Sequence, residues 1–168
     1  MALFGSSRDI SFMKKINREL IENVIQQEVD YYKYYLPETK AKDTTNLYGE
    51  ASAQKTYSAP VRLACLIERG DQTYVQDDQF GVDVTQTVTF RFLKPRLREI
   101  GLVPSGGDII EVRGNYYEID QVNENQFVLG KDNDYGKNVG SEFGESLSII
   151  CTCHYTKVAR LQITKARY

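Results

Sequence analysis

The stretch GGDIIEVRGNYYEIDQV, residues 106–122, places two alternating runs of apolar and polar residues on either side of a Gly-Asn pair. Such a pair accepts positive φ and matches the twist of paired strands, so it predicts a β-hairpin with its turn at Gly114-Asn115. Side chains alternate across a strand, which gives the hairpin two different faces. We expect one face in the core and the other in solvent. The expected core face holds Ile110, Val112, Tyr117 and Ile119, and the expected solvent face holds Glu111, Arg113, Glu118 and Asp120.

A second stretch, VDVTQTVTFRFL at residues 82–93, alternates with period two over its whole length and predicts a long strand. Further strands are predicted within residues 56–70, 125–131 and 147–158, which makes five to seven in all. Residues 93–107 predict a short helix or turn. Short strands separated by Gly and Pro favour a mainly β fold, a small antiparallel β-barrel or sandwich with long loops. One predicted face of 82–93 holds Val82, Val84, Gln86, Val88, Phe90 and Phe92.

Residues 11–35 predict one N-terminal amphipathic α-helix, because apolar residues recur there at steps of three and four. Its expected N-cap is Asp9 or Ser11. We expect it to end before Leu36-Pro37, since a residue preceding proline is pushed out of the α region. The stripe is formed by Met13, Ile16, Leu20, Val24 and Ile25, widened by Phe12, Ile21, Val29 and Tyr32. The chain is expected to be a single domain, 1–168, divided into an arm at 1–10, the helix at 11–35, the β-barrel at 56–158 and a basic tail at 159–168.

Composition excludes several classes of protein. The 168 residues carry a formal net charge of −2, which argues against a chain that binds nucleic acid or membranes through overall charge. No apolar run reaches the roughly 20 residues of a membrane helix. The first residues lack a basic region followed by a long apolar stretch, so no secretory leader is expected. The cysteine count, three, argues against a disulfide framework.

Motifs for chemistry are weak. Cys151 and Cys153 share one face of a predicted strand, while His154 points to the other, and zinc would need four ligands. Buried thiols are the better interpretation. The segment GKDNDYGKN, residues 130–138, has the glycines of a phosphate loop at the wrong spacing and Asn138 in place of Ser or Thr. It also lacks two ligand positions of a calcium loop. We expect no catalytic residue, no metal, no cofactor and no small-molecule substrate.

Charges are segregated along the chain, and this segregation has two interpretations. The patches are either solvated loops and a loose tail, or complementary surfaces that meet across the subunits of a ring. An acidic loop that lined a DNA channel would also prevent phosphate from sticking. The candidate channel or interface acids, all within 71–83, are Asp71, Asp77, Asp78 and Asp83. The candidate interface bases are Arg91, Lys94, Arg96, Arg98, Lys157, Arg160, Lys165 and Arg167.

The segment YYKYY, residues 31–35, is aromatic on several faces of the predicted helix end. It is expected either to pack on its own domain or to contact another subunit. Base stacking is a weaker third interpretation. The aromatic residues concerned are Tyr31, Tyr32, Tyr34 and Tyr35.

Four motifs follow one another along the chain: LFGSSRDISF, PVRLACLIERGD, QDDQFGVDVTQTVTFRFL and LVPSGGDIIEVRGNYYEIDQV. This order resembles the neck, or head-completion, proteins of T4-like and related marine tailed phages. The resemblance spans most of the chain and is strongest at Phe80-Gly81, at Gly107-Asp108-Ile109-Ile110 and at Tyr117-Glu118-Ile119. It implies a small β-barrel without catalytic residues.

The resemblance also implies a place and partners. Such proteins are part of the virion, at the head–tail neck, and assemble in the host cytoplasm. They form a homo-oligomeric ring, for which we expect a hexamer rather than a dodecamer. A portal or adaptor protein lies above the ring, a tail-terminator or tail tube protein lies below it, and DNA passes through without sequence specificity. The alternatives are a tail-terminator or baseplate component and, from a different class, a single-stranded nucleic-acid-binding β-barrel.

Overall fold

The computed structural model describes residues 7–35, 56–77, 81–124 and 146–157, with the backbone alone at 7, 10, 74–77 and 81–84. Seven antiparallel strands form one sheet in this part of the chain, together with two α-helices. The helical elements are α1 (Ser7–Glu19), a π-helical segment (Leu20–Ile25) and α2 (Lys94–Glu99). The strands are β1 (Glu28–Tyr32), β2 (Val61–Ala64), β3 (Leu66–Asp77), β4 (Gly81–Leu93), β5 (Ile109–Val112), β6 (Asn115–Asn123) and β7 (Ser148–Thr156).

The two edge strands of the sheet are joined directly along the chain. The strand order is β2-β1-β5-β6-β7-β4-β3, so β2 and β3 lie at opposite edges. They are nevertheless consecutive in sequence, separated by Cys65 alone. The backbone N–H of Cys65 donates to the carbonyl of Gln27 at 2.9 Å, next to β1. The sheet therefore curls into a barrel-like shape, although no ladder between β2 and β3 closes it within the described strands. The predicted mainly β fold with an N-terminal helix is confirmed.

The core lies on the concave side of this sheet and is built by alternation. On β4, Val88, Phe90 and Phe92 are buried, as the period-two pattern predicts. The rings of Phe90 and Phe92 stack, and Tyr31 meets Phe92 edge-on. Of the other residues predicted on this face, Gln86 is half-buried, and the side chains at 82 and 84 lie outside the description.

The hairpin of residues 106–122 forms, but its turn lies one residue earlier than predicted. Val112 pairs with Asn115, and the turn consists of Arg113 and Gly114. Both turn residues have positive φ, 51° and 83°, as the twist-matched two-residue turn requires. Arg113 adopts the left-handed conformation here, and the Gly-Asn pair in the sequence does not predict that an arginine occupies the turn. Because the register changes by an even number of positions, the predicted core face is kept and remains buried.

The other face of the hairpin is not simply solvated, and that prediction is wrong in part. Ile109 and Tyr116 lie on it and are buried together with Tyr32, while Tyr57 packs over them. The covering segment joins the barrel through a bridge between Tyr34 and Tyr57. A small second core thus lies outside the sheet.

The predicted helix over 11–35 is also wrong at both ends. It begins at Ser7, so Asp9 and Ser11 lie inside it and neither is the N-cap. Its π-helical end stops at Gln26, which adopts φ 52° and donates its N–H to the carbonyl of Ile21. After this left-handed residue the chain is extended as β1. Strand pairing with β2 and β5 wins over the helical pattern there, as tertiary context commonly overrides local preference.

The segment 71–83, interpreted from the sequence as an acidic loop, is strand at 71–77 and 81–83. Two further boundaries follow the sequence closely. The strand predicted at 147–158 is β7, and the short helix or turn predicted at 93–107 is α2 with the turns that follow it. The irregular arm predicted at 1–10 is wrong at 7–10, which belong to α1. Residues 1–6 of that arm, the strand predicted at 125–131 and the tail at 159–168 lie outside the described residues.

We predict that Gly114→Ala lowers the free energy of unfolding by about 1 kcal/mol, because a Cβ is strained at φ 83°. Gly106→Ala is the matched control. Its φ is not positive, and an added Cβ would meet Asp120 at an ordinary 3.7 Å, so it should be neutral or slightly stabilising. Urea denaturation measures both. Equal effects at the two glycines would contradict the assigned turn.

Candidate interaction surfaces

A buried carboxylate ties the start of the chain to the hairpin. Asp108 is fully buried at the end of a turn whose Gly107 has φ 87°. Its Oδ2 accepts hydrogen bonds from the Tyr31 hydroxyl, from Lys33 Nζ at 2.9 Å, and from the Ser105 N–H at 2.9 Å. Its Oδ1 accepts from the backbone N–H of Tyr34 at 2.9 Å. One carboxylate thus joins β1, the residues after it and the loop before β5.

The Asp108 cluster places a serine beside a lysine, which raises the question of nucleophilic chemistry. Lys33 Nζ donates to Ser105 Oγ at 2.6 Å, to Val103 O at 2.7 Å and to Asp108 Oδ2. Three acceptors therefore take up the three donors of its ammonium group. The Ser105 hydroxyl in turn donates to Asp108 Oδ2 at 3.1 Å, so the serine, the lysine and the carboxylate form one hydrogen-bonded network. The cluster is a structural tie.

The tyrosines of 31–35 have different fates, and the predicted contact with another subunit is wrong for two of them. Tyr31 and Tyr32 are buried in the chain's own cores. Burial, with the hydrogen bond to Asp108, holds the pKa of Tyr31 well above its usual value. Tyr34 is half-buried edge-on against Tyr57. Tyr35 is exposed, and for it the intersubunit contact stays a prediction.

The N-terminal helix turns its apolar side away from the body. The exposed apolar residues of α1 and the π-helical segment form one row, here called the apolar stripe, and Ile21 is the one buried apolar side chain described in this segment. The stripe consists of Phe12, Met13, Ile16, Leu20, Val24 and Ile25, each 43% to 69% exposed. An amphipathic surface helix normally faces its apolar side to the core. Here the apolar side is exposed instead.

The opposite, polar side of the helix holds it to the body through ion pairs. Arg18 donates to Glu99 of α2 at 2.7 Å and to Glu22 at 3.0 Å. Arg96 lies 3.1 Å from Glu99 and 3.7 Å from Glu22. Arg18 and then Arg96 hold the pKa of Glu99 below its ordinary value. Exposed ion pairs of this kind are individually weak, so the helix is a lightly attached element.

A cavity of about 190 Å³ separates α1 from the Leu93 end of β4. Its floor is apolar, from Leu93, Pro95 and Leu147, and its rim carries basic side chains of α1 and α2. The cavity places α1 beside the last residues of β4. Two of these bases, Arg18 and Arg96, are the ones paired with Glu22 and Glu99.

The other end of β4 projects beyond the sheet. The pairing of β4 with β7 begins at Thr87, and the register of β3 with β4 shifts between Arg69 and Gln72. Beyond that point, 72–77 and 81–86 pair only with each other among the described strands. Residues 71–77 and 81–86, here called the acidic arm, carry three acids and no base. Six residues per strand make this two-stranded ribbon roughly 20 Å long.

The candidate acids therefore belong largely to one element. Asp71 lies at the base of the acidic arm and is exposed, and Asp77 and Asp83 lie in its strands. Asp78 lies outside the described residues. Whether these acids face a channel or an interface stays a prediction.

The candidate bases are scattered, and most of those described are engaged within the chain. Arg91 pairs with Glu68 at 2.7 Å, Lys94 pairs with Glu124, and Arg96 belongs to the helix tether. Arg98 and Lys157 are exposed. The other three bases, Arg160, Lys165 and Arg167, lie outside the described residues. The bases of 91–98 thus hold the fold together locally, and an intersubunit role for them stays a prediction.

The three cysteines are buried and free, as predicted. Burial raises the pKa of Cys65 and of Cys151 to about 12. Thiols of this kind are poor nucleophiles and poor ligands. His154 points away from them and lies 2.7 Å from Asp120. Within the described residues, no group of three or more His, Cys, Asp or Glu is placed to hold a metal ion.

Sequence reasoning missed Asp108 and the orientation of the helix. The signal for Asp108 was present, since a single acid stands between two glycines and the apolar pair Ile109-Ile110. A carboxylate at the start of a buried strand must find donors. The inverted orientation of the helix has no signal in the sequence, because an apolar stripe reads the same whichever way it faces.

No protein-family model matches the chain, and no curated protein matches it significantly. Among the described helices, none is both long and apolar enough to cross a membrane.

We predict that Asp108→Asn lowers the free energy of unfolding by about 3 kcal/mol. The substitution removes the buried negative charge that pairs with Lys33, and it places an amide donor opposite the Ser105 N–H, which is also a donor. Asp120→Asn is the control, because its partner His154 is half exposed; it should change stability by no more than about 0.5 kcal/mol. Chemical denaturation compares the two. A small loss at Asp108 would show that the carboxylate is not the tie described above.

Proposed function

We propose that the chain is a structural subunit of a tailed-phage neck, which assembles with its own copies into a ring that closes the DNA-filled head. The proposed assembly is supported mainly by the apolar stripe, which lies away from the subunit's own core. Monomers rarely leave a row of six large apolar side chains in solvent without using it. The sequence resemblance supports the neck as the place of that assembly.

The barrel-like sheet supports this role by its stiffness. The Asp108 tie fixes β1 against β5, and covalent continuity through Cys65 joins the two edges. A rigid body of this kind can hold a helix and a projecting arm at fixed positions. In a ring the same contact is repeated at every subunit, so modest contacts add up.

In this proposal the ring lies in the virion between a portal or adaptor protein and a tail-terminator or tail tube protein. DNA passes through it without sequence-specific contacts, and acidic side chains near the channel would keep phosphate from adhering. A tail-terminator or baseplate component would share the ring and differ in position.

The alternative of a single-stranded nucleic-acid-binding barrel is less well supported, because the tyrosines that suggested it are largely buried. Its stacking platform needs exposed aromatic side chains interleaved with cations. Tyr116 and Tyr117, like Tyr31 and Tyr32, are buried. No observation on the described residues favours this alternative.

We predict that the purified chain forms a closed ring, and for a hexamer the mass is six times 19.2 kDa, about 115 kDa. Phage particles made without the chain should have filled heads that leak DNA and tails that do not attach. Mass photometry and electron microscopy test the two parts. Sealed, tailed particles made in its absence would rule out the neck role, and labelled rings seen only at the baseplate or tail end would favour the rival position.

A further inference from the structure

The apolar stripe and the acidic arm are both incomplete surfaces within one subunit. The stripe leaves on the order of 600 Å² of apolar residues in solvent, close to the roughly 800 Å² that each partner contributes to a standard interface. The arm is a two-stranded ribbon, which is marginal alone and gains stability by packing against a helix or further strands. The apolar stripe offers a helix face against which a ribbon can pack, and the arm offers a ribbon that can cover an apolar face.

The charges of the two surfaces are opposite. The helix α1, Ser7–Glu19, carries four bases, Arg8, Lys14, Lys15 and Arg18, and two acids, Asp9 and Glu19. Of these bases, Arg18 is already paired with Glu22 and Glu99. The acidic arm carries three acids and no base. Opposite potentials steer association and fix the register of partners.

The fold keeps the two surfaces apart within one subunit. The cavity residues place α1 beside Leu93, at one end of β4. The acidic arm begins at residue 86 and extends to Gly81, at the other end. Seven residues of strand, about 24 Å, separate Leu93 from the nearest part of the arm. The contact between them therefore belongs to two different copies.

We propose that the acidic arm of one copy docks on the apolar stripe of the next copy, with the basic side chains of α1 flanking it. This contact is heterologous, because the helix and the arm are different surfaces of the same chain. Repetition of a heterologous contact generates a ring when the rotation closes. The inference rests on the proposed ring and names the surfaces that build it.

The experiment uses paired charge reversals in the full-length chain. One variant carries Arg8→Glu with Lys15→Glu, on the helix, and the other carries Asp71→Lys with Asp83→Lys, on the arm. Each variant alone brings like charges together at every contact, and its apparent dissociation constant should rise by about tenfold or more. An equal mixture of the two should assemble again, because alternating copies restore opposite charges. An even-numbered ring accommodates this alternation.

The stripe is tested separately by Ile16→Glu, which places a charge at its centre and should also block assembly. Ser11→Glu is the matched control, since it adds the same charge at an exposed position of the same helix that is not part of the stripe. Circular dichroism checks that both variants stay folded.

Three outcomes would overturn the inference. The wild-type chain could stay monomeric at high concentration. The charge-reversed variants could assemble like the wild type, in which case the ring stands on other surfaces. A two-fold dimer blocked by Ile16→Glu alone would mean that the stripes pair with each other. The neck role is tested independently, since charge-dependent rings that are absent from phage particles would keep this inference and remove that function.

Discussion

The buried carboxylate of Asp108 is the interaction on which the rest of the structure depends. It holds the residues of β1 and those following β1 against the loop that leads into β5. β1 is in turn the partner of β2, which continues through Cys65 into β3 at the far edge of the sheet. That tie adds to the ladders of β1 with β2 and β5 in holding the strand that brings the two edges together. The helix that precedes β1 is positioned by the same anchor.

This anchoring explains why the N-terminal helix behaves as an attachment rather than as part of the core. The chain leaves the barrel at Gln26, whose left-handed backbone ends the helical segment just before β1. From there the helix contacts the body mainly through the ion pairs of Arg18 and Arg96, and its apolar stripe remains outside. The acidic arm is outside for a similar reason, since β4 runs past the end of β7. Both features are costly for an isolated monomer and useful in an assembly.

Local patterns in the sequence were sufficient for much of the fold. The alternation of 82–93 predicts that Val88, Phe90 and Phe92 share one face of β4, because period two is a property of neighbouring residues. The pattern predicts the core face of the hairpin correctly and places the turn one residue too late, since Arg113 adopts a conformation that its residue type rarely favours. Tyr31, Lys33 and Tyr34 meet Asp108 from 77, 75 and 74 positions away. No local pattern contains such a contact, which is why the sequence predicts the end of a helix where the structure has β1.

Our central claim is that the apolar stripe of one copy is covered by the acidic arm of the next. Hydrogen–deuterium exchange of dilute and assembled wild-type protein tests this claim most directly. Exchange reports local opening and the covering of exposed elements. The account predicts that amides of 7–25 and of 72–86 slow together on assembly, while those of the β5–β6 hairpin stay unchanged. Unchanged exchange in both surfaces, with protection elsewhere on the barrel, would contradict it.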